Sequence, residues 1–243
     1  MVSKGFAIRI GSAVAAGTAS AVSLLLSLAL GFAGCSSPSS IGSAPKPLAV
    51  AFIVDPTYSA QKSREARYKE LKSVWDLCLP DEARVAIIRI DHDSETMGEG
   101  EKERLSKTFQ SAWKPRPCRD VPGEQPLFCG SDPVTALRLA VKFLNRPEHE
   151  GCRKLIIGWT DLVADPCFRN GRRNPVVFRD PKSYDWEGLR DSPIEVVLFG
   201  VPERTQDRYE QAWRGRFKTA VKLFGPNHII NPEQDLGLAP QAF

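Results

Sequence analysis

Four short, almost wholly apolar runs constrain the fold of this chain more than any other feature: Leu48–Val54, Arg84–Ile90, Leu155–Trp159 and Ile194–Phe199. Each is rich in Val, Ile and Phe and bounded by turn or charged residues, the pattern of strands buried on both faces of a parallel sheet. Between them, apolar residues recur at helical spacing. From Ser63 onward, Tyr68, Leu71, Val74 and Trp75 share one face; Leu105, Phe109 and Ala112 share another; Leu137, Ala140, Val141 and Leu144 share a third. A further helical pattern after Thr205 runs through Tyr209, Trp213, Phe217, Val221 and Phe224, an aromatic stripe expected to be core, and "NHIIN" is expected to add a fifth strand. Strands alternating with such helices imply an α/β fold, an open, doubly wound, mostly parallel sheet flanked by helices in the Rossmann manner.

The N-terminal region has a different character. Lys4 and Arg9 precede a stretch from Ile10 to Phe32 without any charge, and small residues lead into Cys35 in "GFAGCSSPSS". This is the layout of a secretory signal, and Ala33-Gly34-Cys35 resembles the lipobox of bacterial lipoproteins, with Phe32 where Leu is usual. The resemblance implies a signal peptide over 1–34, cleavage after Gly34, lipidation of Cys35 and a lipid-anchored, extracytoplasmic protein of the bacterial cell envelope. Residues 35–47, rich in Ser, Pro and Gly, read as a flexible tether, and residues 48–243 are the size of one domain. Without Lys4 and Arg9 the formal charge falls from +4 to +2, too small an excess to argue for nucleic acid.

Five cysteines follow Cys35: Cys78, Cys118, Cys129, Cys152 and Cys167. They form no CxxC or Cys/His cluster of the zinc-binding kind. In an exported chain they are disulfide candidates instead. Cys118 and Cys129, which flank the Pro-rich "RDVPGEQPLF", are the favoured pair.

In doubly wound sheets, ligands bind beyond the carboxyl ends of the strands, where the strand order reverses. The first strand is followed there by Asp55, Thr57 and Ser59, oxygen-bearing side chains at every second position. Asp-Pro and Ser are turn formers, and Asp55 could cap a helix; the same alternation also suits a site for a hard cation. Together with two later segments the motif resembles the von Willebrand factor type A (vWA) domain and its metal-ion-dependent adhesion site. "FIVDPTYS" is similar to its DxSxS motif, "GSDPVTALRLAVKFL" to its segment before a central helix with Ser131 in place of threonine, and "LIIGWTDLVAD" to its TDG-like turn with Leu162 in place of glycine. The resemblance implies that Asp55, Thr57, Ser59, Ser131 and Asp161 hold Mg2+, or Mn2+ or Ca2+, and that a protein ligand offering a carboxylate completes the shell. Both substituted hydroxyls keep an oxygen, as a hard cation requires. The alternative keeps the fold without the metal: Asp55 and Ser131 cap helices, Asp161 ends a strand, and the domain is a scaffold in an envelope assembly.

Other polar sets carry less. "DHDSE" reads as a solvated acidic loop, and the long segment Val163–Ser192 offers Arg169, Arg172, Arg173, Phe178, Tyr184 and Trp186 as residue types that anchor interfaces. An enzyme is not expected. There is no GxSxG elbow or GxxxxGK[ST] loop, and Thr57 stands where an aspartyl phosphotransfer motif needs a second acid. His92, beside Asp91 and Asp93, comes nearest to a hydrolase base.

Overall fold

A computed structural model describes residues 46–56, 64–91, 94–114, 131–163, 168–169, 172–173, 193–213 and 221–241. The chain divides into two units, Met1–Ser43 and Ala44–Phe243, and all described residues lie in the second.

Strand β1, Leu48–Val54, is buried at every position, because it lies in the middle of a six-stranded sheet. Around it, in chain order, stand α1 (Arg64–Cys78), β2 (Arg84–Arg89), β3 (Glu95–Glu101), α2 (Lys102–Ala112), α3 (Pro133–Leu144) and β4 (Arg153–Trp159). A two-residue hairpin follows, β5 (Phe168–Arg169) and β6 (Arg172–Arg173), then β7 (Ile194–Phe199), α4 (Glu203–Trp213), β8 (Val221–Leu223) and α5 (Pro232–Leu236). The main sheet runs β3-β2-β1-β4-β7-β8. Its adjacent pairs are parallel apart from the antiparallel β2–β3 pair.

The side-chain period of two in β1 sorts the core into two layers. Leu48, Val50, Phe52 and Val54 pack with Leu71, Val74 and Trp75 of α1 and with Leu105 and Phe109 of α2. Ala49, Ala51 and Ile53 pack with Leu137, Ala140 and Leu144 of α3 and with Tyr209 and Trp213 of α4. The first layer is aromatic: Phe52 lies 5.4 Å from Trp75, which stacks on Phe109 at 4.6 Å. Helices on both faces of a mostly parallel sheet make the doubly wound architecture expected from the sequence. Close packing of β1 against β4 depends on Gly158, where a Cβ would come within 2.9 Å of both Cβ and the carbonyl oxygen of Ile53.

The structure corrects several sequence expectations. The apolar run starting at Leu155 begins two residues earlier, at Arg153. The strand expected over Arg84–Ile90 ends at Arg89, although Ile90 N–H still donates to the Val54 carbonyl at 2.8 Å. The helix whose face carries Leu137, Ala140, Val141 and Leu144 opens at Pro133. The helix after Thr205 is described as far as Trp213, and Phe217 lies outside the described residues; Val221 lies in β8, which pairs with β7 in place of "NHIIN". Residues 227–231 form a turn and extended chain. Here strand pairing along the sheet edge overrides a helical period. Edge strand β3, "ETMGEGE", was not expected, since it has almost no apolar residues. Its glutamates face basic partners: Glu95 meets Arg89, Glu99 meets Arg146 and Glu101 meets Arg84.

Candidate metal centre

From β1 the strand order runs one way through β2 and β3 and the other way through β4, β7 and β8, so the reversal lies between β1 and β4. Val54 pairs with Trp159 in register. The next residues, Asp55 and Thr160, therefore stand side by side at the carboxyl edge. Both are completely buried. The Thr160 hydroxyl donates to Asp55 Oδ2 at 2.8 Å and accepts the Leu162 N–H at 3.0 Å.

Asp161, half-buried, folds its carboxylate back over the same turn, Oδ1 accepting the Val163 N–H at 2.9 Å. Ser131, 2% exposed, donates its hydroxyl to the Val163 carbonyl at 2.5 Å. Three of the five sequence-predicted ligands, Asp55, Ser131 and Asp161, are thus joined through one turn, Thr160–Val163. Thr57 and Ser59 lie outside the described residues, as do Cys35, Cys118 and Cys129. Ser131 does not cap α3. Asp132 does so, with Oδ1 accepting from Thr135 N–H at 3.0 Å and Oδ2 from the Thr135 hydroxyl at 2.7 Å, which leaves Ser131 to face the turn.

The turn itself is strained. Leu162 has φ 56°, the only positive φ among described non-glycine residues. A left-handed residue with a Cβ costs roughly 1–2 kcal/mol, and the surroundings hold it there. Its side chain is 3% exposed within the α3–α4 layer, and its carbonyl faces the Tyr209 hydroxyl of α4 at 3.4 Å. The glycine missing from the sequence motif has therefore not removed the turn. Leucine adopts the glycine conformation.

The acidic segment after β2 supports the same edge. Asp91 and Glu95 lie 3.4 and 2.5 Å from Nη2 of the buried Arg89. The Asp91 carbonyl accepts Asp132 N–H at 3.0 Å, and the Ser94 hydroxyl donates to the Asp132 carbonyl at 2.7 Å. Here acids and backbone brace the residue beside Ser131; His92 and Asp93 lie outside the described residues. Most of Val163–Ser192 lies outside them too, including Phe178, Tyr184 and Trp186.

The donor set is all oxygen, two carboxylates and a hydroxyl, with neither sulfur nor imidazole, which suits a hard cation. Asp55 is fully buried at the strand end, beside the Thr160 hydroxyl. By donor chemistry the described residues fit a hard divalent ion. Among the described residues no group of three or more His, Cys, Asp and Glu is placed to hold a metal by itself; any such centre would draw on hydroxyls. Sequence reasoning missed Thr160 and Tyr209. Thr160 was detectable as the first hydroxyl after an apolar strand, placed opposite Asp55 once β1 and β4 are parallel neighbours; Tyr209 carried no signal beyond its core spacing.

No family model and no curated protein matches this chain. Among solved structures it is similar to the VWA domain of SpRpn10, at 10% identity and a TM-score of 0.45, over 75% of this chain and 91% of that one. It is similar also to a von Willebrand factor type A protein from Catenulispora acidiphila (13%, TM-score 0.45, 77% and 40%). A third is proximal thread matrix protein 1 from the mussel byssus, with a zinc-occupied MIDAS motif (14%, TM-score 0.41, 74% and 42%). The chain spans less than half the length of the latter two. The likeness concerns the fold alone.

Proposed function

We propose that this protein is a non-enzymatic binding module of the vWA kind that recognises an acidic group on a protein partner through a divalent ion. Asp55, Thr57, Ser59, Ser131 and Asp161 would hold the ion, Mg2+ or a similar hard cation. One observation carries the reading: Asp55, Ser131 and Asp161, from three separate segments, are linked by a single turn at the strand-order reversal. With mostly neutral donors, a bound ion would keep its affinity for an incoming carboxylate. The chain's own part is to hold these oxygens at the carboxyl edge of the sheet, through the buried hydroxyl of Thr160 and the cap at Asp132.

The metal-free scaffold has one observation in its favour, since Asp161 and Ser131 already bond to Val163. Calorimetric titration of the full chain with MgCl2 and MnCl2 separates the two. We expect saturable binding that is lost in Asp55→Ala and in Asp161→Ala; absence of binding by the unmutated protein would leave the scaffold. The proposed location is the bacterial envelope, with Cys35 lipidated, so radiolabelled fatty acid should be incorporated by the protein and not by Cys35→Ala. Among the described residues no helix is long and apolar enough to cross a membrane.

A further inference from the structure

The amino edge of the sheet carries a cavity of about 600 Å3 that shares no residue with the candidate metal centre at the opposite edge. Pockets that take small organic ligands span roughly 300–1,000 Å3 and are mostly apolar. The walls here have that character: Leu48 of β1, Leu238 beyond α5, Pro80 and Pro193, which have no N–H to offer, and the Cys78 thiol. Cys78 is free and 4% exposed, and burial pushes its pKa up, so at neutral pH it lines the wall as an uncharged group. Such a surface favours an apolar ligand body.

Three charged side chains complete the lining, Lys46, Arg153 and Glu195. Two of them cancel. Both Glu195 oxygens accept from Arg153, at 2.8 and 2.9 Å, and Arg153 also donates to the carbonyls of Leu236 and Gly237. Lys46 is held differently. Its main chain is fixed beside the cavity, because the Pro47 carbonyl accepts the Arg153 N–H at 2.8 Å. Yet Lys46 is exposed and makes no ion pair among the described residues. The lining therefore sets one uncompensated positive charge beside an apolar hollow. We propose that the amino-edge cavity binds a small amphipathic carboxylate of the fatty-acid type, its chain against Leu48, Cys78, Pro80 and Leu238 and its carboxylate facing Lys46. This inference does not rest on the metal-binding reading.

Calorimetric titration of the full chain with octanoate, 1-octanol and octylammonium, which share one chain length and differ in head charge, tests it. We expect octanoate to bind most tightly and octylammonium least. Lys46→Gln should weaken octanoate binding by about three- to fivefold, the range of an exposed ion pair, and leave octanol within about twofold. Affinity should rise several-fold from hexanoate to octanoate as methylenes are buried. Location is read separately through Cys152, which lines the same cavity. Saturating octanoate should slow its alkylation by iodoacetamide by about fivefold or more, as read by peptide mass spectrometry. Ala239→Trp, at an exposed position on the wall, should fill the cavity and abolish both binding and protection. Should that variant fail to melt cooperatively, Ala239→Phe takes its place. Equal affinity for the three head groups, unaltered octanoate affinity in Lys46→Gln, undiminished Cys152 alkylation, binding that survives the Ala239 variant, or no octanoate binding by the unmutated protein each overturns the inference.

Discussion

The two edges of the sheet use their polar groups in opposite ways. At the amino edge, Arg153 at the start of β4 meets Glu195 through Nε and Nη2 at 2.8 and 2.9 Å. It also donates to the carbonyls of Gly237 and Leu236 at 2.9 and 2.6 Å. Lys102, 8% exposed, is likewise spent on the Leu79 carbonyl and Asp81. Charges there fasten the helix α5 end and the β2 approach to the sheet. At the carboxyl edge, two carboxylates are held by neutral groups, hydroxyls and amides, around a left-handed leucine. The amino edge is cross-linked by cation–anion and cation–carbonyl bonds, while the turn Thr160–Val163 at the carboxyl edge, beside the Arg89–Asp91 and Arg89–Glu95 pairs, is tied by hydroxyl and amide hydrogen bonds and keeps backbone strain in place. Strain held by surrounding packing is common at functional sites, so the difference points to the carboxyl edge as the working one.

The largest effect should come from cutting the amino-edge clamp. Hydrogen bonding to Glu195 raises the pKa of the Arg153 guanidinium above its ordinary value, against the opposing effect of desolvation, and a Coulombic attraction adds to it. Hydrogen bonds to charged groups contribute about 1.5–3 kcal/mol, and the partial exposure of both side chains, 29% and 37%, argues against a larger figure. Arg153→Ala should therefore lose about 2–3 kcal/mol in urea unfolding. Arg153→Lys, which keeps the charge without the fork, should recover only part. Divalent-ion binding at the far edge should be unchanged in both variants. A parallel loss of ion affinity would break the distinction between the edges.

A smaller effect, the difference between two variants at one position, isolates the strain. Leu162→Ala and Leu162→Gly both remove a side chain that is 3% exposed, so both should be destabilised by about 2–4 kcal/mol. Alanine still has to occupy φ 56° with a Cβ, and glycine does not. Leu162→Gly should therefore be more stable than Leu162→Ala by about 1 kcal/mol, the reverse of the usual helical order. Equal stabilities in thermal or urea unfolding would mean that the left-handed turn carries no measurable strain.

The sequence made the central sheet readable because β1, β2, β4 and β7 are buried on both faces and therefore almost wholly apolar. It hid β3, whose glutamates meet Arg84 and Arg89 of β2 and Arg146 beyond α3 and which has no apolar period. It misplaced the last strand because Val221 and Phe224 continue an aromatic spacing that fits a helix, while their partners in the fold are β7 and Phe199. At the site, Asp55, Ser131 and Asp161 were visible as oxygens after strands or before a helix. What a linear reading could not supply was register: Thr160 becomes a partner of Asp55 only through parallel pairing across 105 residues. Nor does the substitution of glycine by Leu162 disclose that the turn survives, since that depends on packing against α3 and α4.

The smallest effect concerns the two cysteines at the amino edge. Cys78 and Cys152 are free thiols lining a cavity of about 600 Å3 there, with Leu48, Glu195 and Leu238 among its walls. Burial raises the Cys78 pKa, and the attraction of Lys102 only partly opposes it. Cys78 is 4% exposed, whereas Cys152 is half-buried. Iodoacetamide at pH 8 should therefore alkylate Cys152 well before Cys78, as read by peptide mass spectrometry, because the thiolate is the nucleophile. The same shift has a sign in stability. A folded pKa above the unfolded one means that the folded state holds the proton more tightly, so the contribution is fully present below the ordinary thiol pKa. It is lost as pH climbs through the raised value. As pH rises from 8 to 10 the unmutated protein should lose stability relative to Cys78→Ala, as read by urea unfolding at each pH. If that difference stays constant across the range, Cys78 ionises as freely in the fold as in the unfolded chain, and the amino edge is wetter around α1 than its burial implies.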